Sequence, residues 1–199
     1  MNGKLNAGEL VKTGIILFLI TALSAALLAV VNGFTAPMIA KNKETKTQDA
    51  MRAVLPAADS FEKLEITPEI AALSDKDEIT EVYKAKDSGG ADCGVCVITN
   101  TSGYDVGIVT VTGVDADMKV AGVEITAMKE TPGLGAKAAD SSFRGQYSGK
   151  AGEVAVSKTG ADDTHIQAIS GATKTSNGVT RGVNLALKAA ETVMEGGSK

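Results

Sequence analysis

The sequence of 199 residues contains no tryptophan and a single histidine, His165, and only 4% of its residues are aromatic. With one imidazole, the chain alone excludes zinc, copper and haem sites that need two or more histidine ligands. An excess of positive charge is also absent, because 20 Lys and Arg stand against 24 Asp and Glu, a net charge of −4. Proteins that bind nucleic acid carry a basic surface, so nucleic acid is excluded as a partner.

Cysteine is scarce as well, and its two copies, Cys93 and Cys96, form a C-x-x-C pair. No histidine follows Cys96, which excludes c-type haem attachment, and a zinc or iron–sulfur cage would need a second pair. The pair lies in a predicted strand, whereas redox dithiols normally occupy a helix N-terminus that lowers a thiol pKa. We therefore expect ordinary buried or half-buried thiols, with a disulfide or a catalytic dithiol as alternatives. His165 has no Ser or Cys partner motif, and we expect it to be structural or exposed.

Charge is missing altogether from residues 13–40. The apolar centre of this segment, Gly14–Val31, reaches the roughly 20 residues needed to span a membrane when it is extended through Phe34. We predict a tail and transmembrane anchor over residues 1–34, followed by a soluble acidic domain over residues 41–199. A cleaved signal peptide is the alternative, but no A-x-A-like cleavage site follows the apolar run. Lysines lie on both sides of the anchor, so charge leaves its orientation open.

Beyond the anchor, β-branched residues with partial alternation predict strands of one antiparallel sheet. These strands cover Glu78–Lys86, Gly94–Thr99, Val106–Val114 and Lys119–Met128. Asp115, Ala116 and Asp117 supply the turn between the last two. Short strands are predicted at Glu153–Ser157 and His165–Ile169.

Two helices are predicted in addition to the sheet, which makes the domain α+β. The first covers Glu44–Val54 and stops before Pro56, which lacks the N–H that a helix requires. The second covers Asn177–Glu195, where apolar residues recur at three- and four-residue steps, the pattern of a helix that packs on a sheet. Gly196 and Gly197 are expected to end it.

A glycine-rich segment, Glu130-Thr131-Pro132-Gly133-Leu134-Gly135, follows the last long strand. The string from Gly133 to Ala138 reads G-x-G-x-x-A, but Pro132 and the antiparallel surroundings oppose a dinucleotide-binding βαβ unit. A turn with exposed backbone N–H groups and little side-chain bulk suits a flat ligand close to the main chain. The alternative is a plain β-turn.

A hydroxyl-rich loop, Ser170–Ser176, precedes the last predicted helix. Helix N-termini bind phosphate through unpaired N–H groups and the helix dipole. The loop lacks the G-x-x-x-x-G-K-[ST] pattern of a Walker loop. Alternatively, Thr175 or Ser176 simply caps the helix, as such residues commonly do. These two interpretations stay open on the residues alone.

These features occur together and in a particular order along the chain. A single N-terminal anchor, the string GYDVGIVTVTGVDAD, then ETPGLG, then SGATKTS before a helix cover essentially the whole sequence. The sequence thereby resembles the FMN-binding G subunit of Rnf-type ion-translocating electron transport complexes. The C subunit of the sodium-pumping NADH:quinone reductase carries the same SGATKT-type motif, but it is usually longer and is the second choice.

The resemblance implies FMN, transferred by a dedicated flavin transferase and held by a phosphoester to Thr175. It also implies a flavin site, whose other members are Ser170, Gly171, Ala172, Thr173, Glu130, Thr131, Pro132, Gly133, Leu134 and Gly135. The implied function is electron transfer within a membrane complex of several subunits that couples ferredoxin oxidation and NAD+ reduction to ion movement. The N-terminus would be cytoplasmic and the domain extracytoplasmic. A stand-alone membrane-anchored flavoprotein reductase and a non-redox binding module are the alternatives from other classes.

Overall fold

The computed structural model describes residues 7–196. The chain divides into two compact units, residues 1–45 and 46–199. The ends of the predicted domains, residues 1–6 and 197–199, lie outside the described residues, and so does Gly197, which was expected to help end the last helix.

The N-terminal helix α1, Ala7–Val54, runs for 48 residues. It joins the predicted anchor and the predicted helix Glu44–Val54 into one element, because Pro37 removes a single backbone hydrogen bond without ending the helix. The predicted stop before Pro56 is confirmed. Within α1 an 18-residue window has a mean hydropathy of 2.7 and none of it is buried in the molecule, so this helix is long and apolar enough to cross a membrane.

A five-stranded antiparallel sheet forms the centre of the second unit, and its strands follow one another in sequence order. The strands are β1 (Ser60–Leu64), β2 (Glu78–Lys86), β3 (Asp92–Ser102), β4 (Val106–Asp115) and β5 (Val120–Ala127). The four predicted strands are therefore present, with β3 longer at both ends than the sequence indicated. Strand β1 was not predicted, because it is an edge strand whose short SFEKL sequence is largely exposed.

The C-terminal helix is α4 (Thr173–Gly196), and several shorter elements lie between β1 and β2 or between β5 and α4. They are α2 (Pro68–Ala72), a 3-10 turn at Gly135–Ala139, α3 (Ser141–Arg144), a second 3-10 turn at Gly145–Tyr147, and strands β6 (Ala155–Ser157) and β7 (His165–Gln167). The two short strands pair with each other in parallel, apart from the main sheet. The predicted α+β class is confirmed.

Both faces of the sheet are covered. Helix α4 packs on one face over a core that includes Val97, Ile108, Val179 and Val183. The last turn of α1 packs on the opposite face, where Met51, Val54 and Leu55 meet a second buried cluster. Because strands buried on both faces read as continuous apolar runs, β3 and β4 show only partial alternation.

Helix α4 begins four residues before the predicted start at Asn177, and this corrects the interpretation of the hydroxyl-rich loop. Residues 173–176 lie inside the first turn, where Ser176 N donates to Ala172 O. Neither Thr175 nor Ser176 therefore stands at the N-cap position, and the capping interpretation is wrong. Ser176 Oγ instead donates to Ala172 O and accepts a hydrogen bond from Ile169 N, which ties the loop to the helix start.

Candidate functional site

An open cavity of about 560 Å³ lies where the start of α4 meets the glycine-rich turn and the β3–β4 connection. This volume falls within the range of about 300–1,000 Å³ that is usual for small-molecule and cofactor sites. The cavity is lined by Tyr104, Glu130, Thr131, Leu134, Gly135, Gly171, Ala172, Thr173, Lys174 and Thr175. Two segments that are separated by some forty residues in sequence thus form one site.

Most of the site residues predicted from sequence line this cavity. Three do not: Ser170, Pro132 and Gly133 are exposed and lie beside the lining residues in the chain. Gly133 has a positive φ of 75°, a conformation that glycine adopts without strain. Its missing Cβ faces open space, so its use is the turn itself rather than room for a neighbour.

Thr175 is the third residue of α4 and only 1% of its surface is exposed. The first residues of a helix have backbone N–H groups without acceptors in the helix, and the positive end of the dipole lies there. The side chain of Thr175 is therefore held at the part of α4 that best tolerates an anionic ligand. Its Oγ1 donates a hydrogen bond to Glu130 Oε2 at 2.7 Å.

Glu130 is a buried carboxylate, 7% exposed, and both of its oxygens are used. While Oε2 accepts from Thr175, Oε1 accepts from the backbone N–H groups of Tyr104 at 3.0 Å and Asp105 at 3.2 Å. In all three contacts the carboxylate of Glu130 is the acceptor. Glu130 thus connects the β3–β4 connection to the first turn of α4.

Two glycines allow these groups to come together. A Cβ on Gly135 would lie 2.5 Å from Glu130 Oε2 and 2.7 Å from Thr175 Oγ1. A Cβ on Gly103 would lie 2.5 Å from Glu130 Oε1 and 3.0 Å from Thr175 Cα. A side chain at either position would displace the Glu130–Thr175 pair, so both positions need glycine for close approach.

Tyr104 and Lys174 also line the cavity, and sequence reasoning missed them as site residues. The Tyr104 side chain is 75% exposed, and Lys174 Nζ lies over its ring, 5.6 Å from the centroid. This distance is typical of a cation–π contact. The signal in the sequence was weak: Tyr104 is the aromatic residue of a Ser-Gly-Tyr-Asp turn, and Lys174 is the one charged residue within the SGATKT string.

The cavity has the features that FMN requires. Gly171, with a φ of 77°, and Gly135 keep its walls free of bulk, while Leu134 and Tyr104 present apolar surface at its mouth. The start of α4 and the Lys174 ammonium group supply positive potential for a phosphate. A flat ring system with a phosphate at one end fits this combination of surfaces.

The remaining candidates lie elsewhere. Cys93 and Cys96 are free thiols in β3, and both pack in the cluster against the end of α1. Burial raises the pKa of Cys96 to about 12 and also raises the pKa of Cys93, so neither thiol has the lowered pKa of a reactive cysteine. His165 is partly exposed, with Nδ1 at 2.9 Å from Asp162 Oδ1, and both lie outside the cavity lining.

Comparison with protein families agrees with this geometry. Residues 103–188 match the model of the FMN-binding domain, a range that includes Tyr104, Glu130 and Thr175. Residues 1–54 match the model of the RnfG N-terminal region, and this match ends at the same residue as helix α1. The chain therefore combines an FMN-binding domain with an RnfG-type N-terminal region.

Relatives define the family. The chain is 40% identical over 189 residues to the G subunit of the Na(+)-translocating ferredoxin:NAD(+) oxidoreductase complex of Acetobacterium woodii, covering 89% of each chain. It is 33% identical over 175 residues to the G subunit of the proton-translocating complex of Clostridium ljungdahlii, covering 87% of this chain and 88% of that one. The chain belongs to the RnfG family, the G subunits of Rnf-type ion-translocating oxidoreductase complexes.

A solved structure shares the fold. The C subunit of the Na(+)-translocating NADH-quinone reductase from Parabacteroides distasonis superposes with a TM-score of 0.52 at 18% identity. The match covers 76% of this chain and 93% of that chain. At this identity the likeness extends to the fold alone.

Proposed function

We propose that this protein is the electron-carrying flavoprotein subunit of a membrane-bound ion-translocating ferredoxin:NAD+ oxidoreductase, with FMN attached to Thr175 by a phosphoester. The observation that carries the proposal is the position of Thr175, which lines the cavity within the first turn of α4. The FMN phosphate and the Thr175 hydroxyl thus both lie at the N-terminal end of α4, where the helix dipole favours negative charge.

The chain's own residues have distinct tasks in this function. The start of α4 and Lys174 hold the phosphate, and the backbone of residues 131–135 with Leu134 and Tyr104 forms the walls for the ring. When bound, FMN supplies the redox chemistry, because no side chain of this cavity exchanges electrons at physiological potentials. The protein orients the flavin for neighbouring subunits of the complex.

Helix α1 anchors the protein in the cell membrane in this proposal, with the N-terminus in the cytoplasm and residues 41–199 outside. Covalent attachment then has a physical reason, because a cofactor made in the cytoplasm and lost outside the membrane is not readily recaptured. A phosphoester removes the dissociation equilibrium.

The test replaces Thr175 with valine, which is nearly isosteric and lacks the hydroxyl. Mass spectrometry of the wild-type peptide should show one FMN minus one water on Thr175, and T175V should be colourless after denaturation. T192V is the matched control, because Thr192 lies on the same helix and its hydroxyl only donates to Lys188 O. It should keep its flavin.

Assembled complexes carrying these variants test the electron-transfer step. At equal subunit stoichiometry, T175V should lose ferredoxin-dependent NAD+ reduction while T192V retains it. A yellow, covalently labelled T175V chain would place the attachment on another residue, and full turnover without flavin would contradict the function.

A further inference from the structure

The hydrogen bond between Thr175 and Glu130 belongs to the chain before any cofactor is attached. Thr175 Oγ1 is the donor and Glu130 Oε2 the acceptor, 2.7 Å apart. Once Oγ1 is esterified it has no proton to donate, so this bond exists only in the unmodified protein. Its geometry is therefore suited to the attachment step and contributes nothing to holding a flavin already in place.

Glu130 is fixed in the orientation that a base needs. Its Oε1 is held by the backbone N–H groups of Tyr104 and Asp105, which leaves Oε2 aimed at the Thr175 hydroxyl. In the part of the chain that the structure describes, Glu130 is the only acceptor of that hydroxyl proton.

We propose that Glu130 is the general base that activates Thr175 for its own flavinylation, an inference that rests on the proposed attachment of FMN at this residue. A general base must lie within about 2.6–3.2 Å of the proton-bearing atom, and Glu130 Oε2 satisfies this distance. The protein would thus bring its own base to the transferase reaction.

The step balances with a flavin dinucleotide as the phosphoryl donor. Thr175 Oγ1 forms a bond to the phosphorus of the FMN moiety, and the anhydride bond to the second phosphate breaks. The hydroxyl proton passes to Glu130 Oε2 and then to solvent through the open cavity. The leaving group departs as a nucleoside monophosphate, and no electron is gained or lost.

A purely structural role for Glu130 is the competing explanation, because its Oε1 supports the β3–β4 connection. A second buried carboxylate supports the residue immediately before the same connection, Ser102 at the end of β3. Asp77 is 8% exposed, accepts from Ser102 N and pairs with Arg181, but it does not line the cavity. Comparing Glu130 with Asp77 therefore separates base catalysis from support of the loop.

The experiment uses the full chain, purified without flavin, together with a flavin transferase and FAD. In E130Q, the amide oxygen can accept from Tyr104 N and Asp105 N while the amide nitrogen donates to Thr175 Oγ1, so the contact is kept but no proton can be taken. We expect kcat for flavin incorporation to fall about 100-fold or more, the usual contribution of a general base, with KM for the chain unchanged. D77N should keep the wild-type kcat.

A second variant separates the pair without removing either side chain. In G135A the new methyl group would contact both Glu130 Oε2 and Thr175 Oγ1, and kcat should fall as in E130Q. G145A is its control, because Gly145 has a helical φ of −61° and open space around it. Thermal unfolding of each variant verifies the fold.

The outcomes distinguish this inference from the proposed function. If the wild-type chain accepts no FMN on Thr175, the attachment itself is wrong. If the wild type is labelled and E130Q is labelled equally fast, the attachment stands and the base is not Glu130. If D77N slows the reaction as much as E130Q does, or if E130Q changes only KM, the role of Glu130 is structural.

Discussion

Glycines of similar appearance in the sequence have different tasks in the structure. Gly135 leaves room for the Glu130–Thr175 pair, and Gly103 supports the same pair from the β3–β4 connection. Gly133, only two residues away from Gly135, faces open space and is needed for its positive φ. The ETPGLG segment therefore combines one conformational glycine with one glycine of close approach.

The two cysteines give a prediction about reactivity. At pH 8 a thiol with a pKa of about 12 is ionised in about one molecule in 10⁴, and alkylation requires the thiolate. Because burial raises the pKa, Cys96 should resist iodoacetamide in the folded chain at this pH, while the half-buried Cys93 reacts slowly. Peptide mass spectrometry after timed labelling measures both rates.

Unfolding supplies the control for that experiment. In urea both thiols return to an ordinary pKa near 8.5, and both should be labelled quickly. Rapid labelling of Cys96 in the folded protein would mean that the thiol is activated, and the C-x-x-C pair would again be a candidate for redox chemistry.

Helix α4 shows how an element can place a reactive side chain. Gly178 and Gly182 bring its axis close to β3, because a Cβ at these positions would lie 2.8 Å from Ser102 O and 2.7 Å from Thr99 Oγ1. The Tyr147 hydroxyl bonds to Thr180 Oγ1 at 2.7 Å and fixes the helix from the other side. The first turn is thereby held against the β3–β4 connection, which puts Thr175 beside Glu130.

The end of α1 makes a comparable contact on the opposite face of the sheet. Gly113 and Gly122 are opposite each other in β4 and β5, and together they form a notch beneath Val54 and Leu55. A Cβ on Gly113 would lie 2.7 Å from Val54 O, a backbone atom that cannot rotate away. The notch therefore fixes where α1 ends on the sheet.

This contact predicts the effect of G113A on stability. Overpacking against backbone should lower the free energy of unfolding by about 1–3 kcal/mol. Denaturant titration of the full chain in detergent measures it, with G145A expected to stay within about 0.5 kcal/mol of the wild type. Equal stability of G113A and G145A would show that the end of α1 is not held at this notch.

At the scale of the whole molecule, the uncharged span predicts a membrane anchor, and the orientation proposed for it from the family resemblance gives a prediction about topology. Protease added to intact spheroplasts should remove residues 41–199, because the proposed orientation places them outside the cytoplasm. Immunoblotting against the two ends of the chain follows the cleavage, and a cytoplasmic protein that stays intact is the control. Digestion only after lysis would reverse the orientation.

Much of the architecture was predictable because it depends on local sequence. The uncharged run, the β-branched segments and the stop before Pro56 predicted α1, β2 to β5 and the end of the first helix. Strand β1 was not predicted, because its five residues are largely exposed and include two charged side chains, and it is held in place by pairing with β2. Helix α4 was predicted too short, because Thr and Ser have modest helix propensity and its apolar pattern begins only at Val179.

The order of the motifs along the chain was likewise visible in the sequence, and the family resemblance that it carries implies Thr175 as the candidate attachment residue. Its partnership with Glu130 could not be read there, because 45 residues separate the two and only the path of the chain brings Oε2 to Oγ1. The same holds for Tyr104 and Lys174, whose contact depends on the meeting of a β-hairpin connection and a helix start. Local dihedral preferences and hydrophobic periodicity are properties of the sequence, whereas the proton acceptor of a buried hydroxyl is a property of packing.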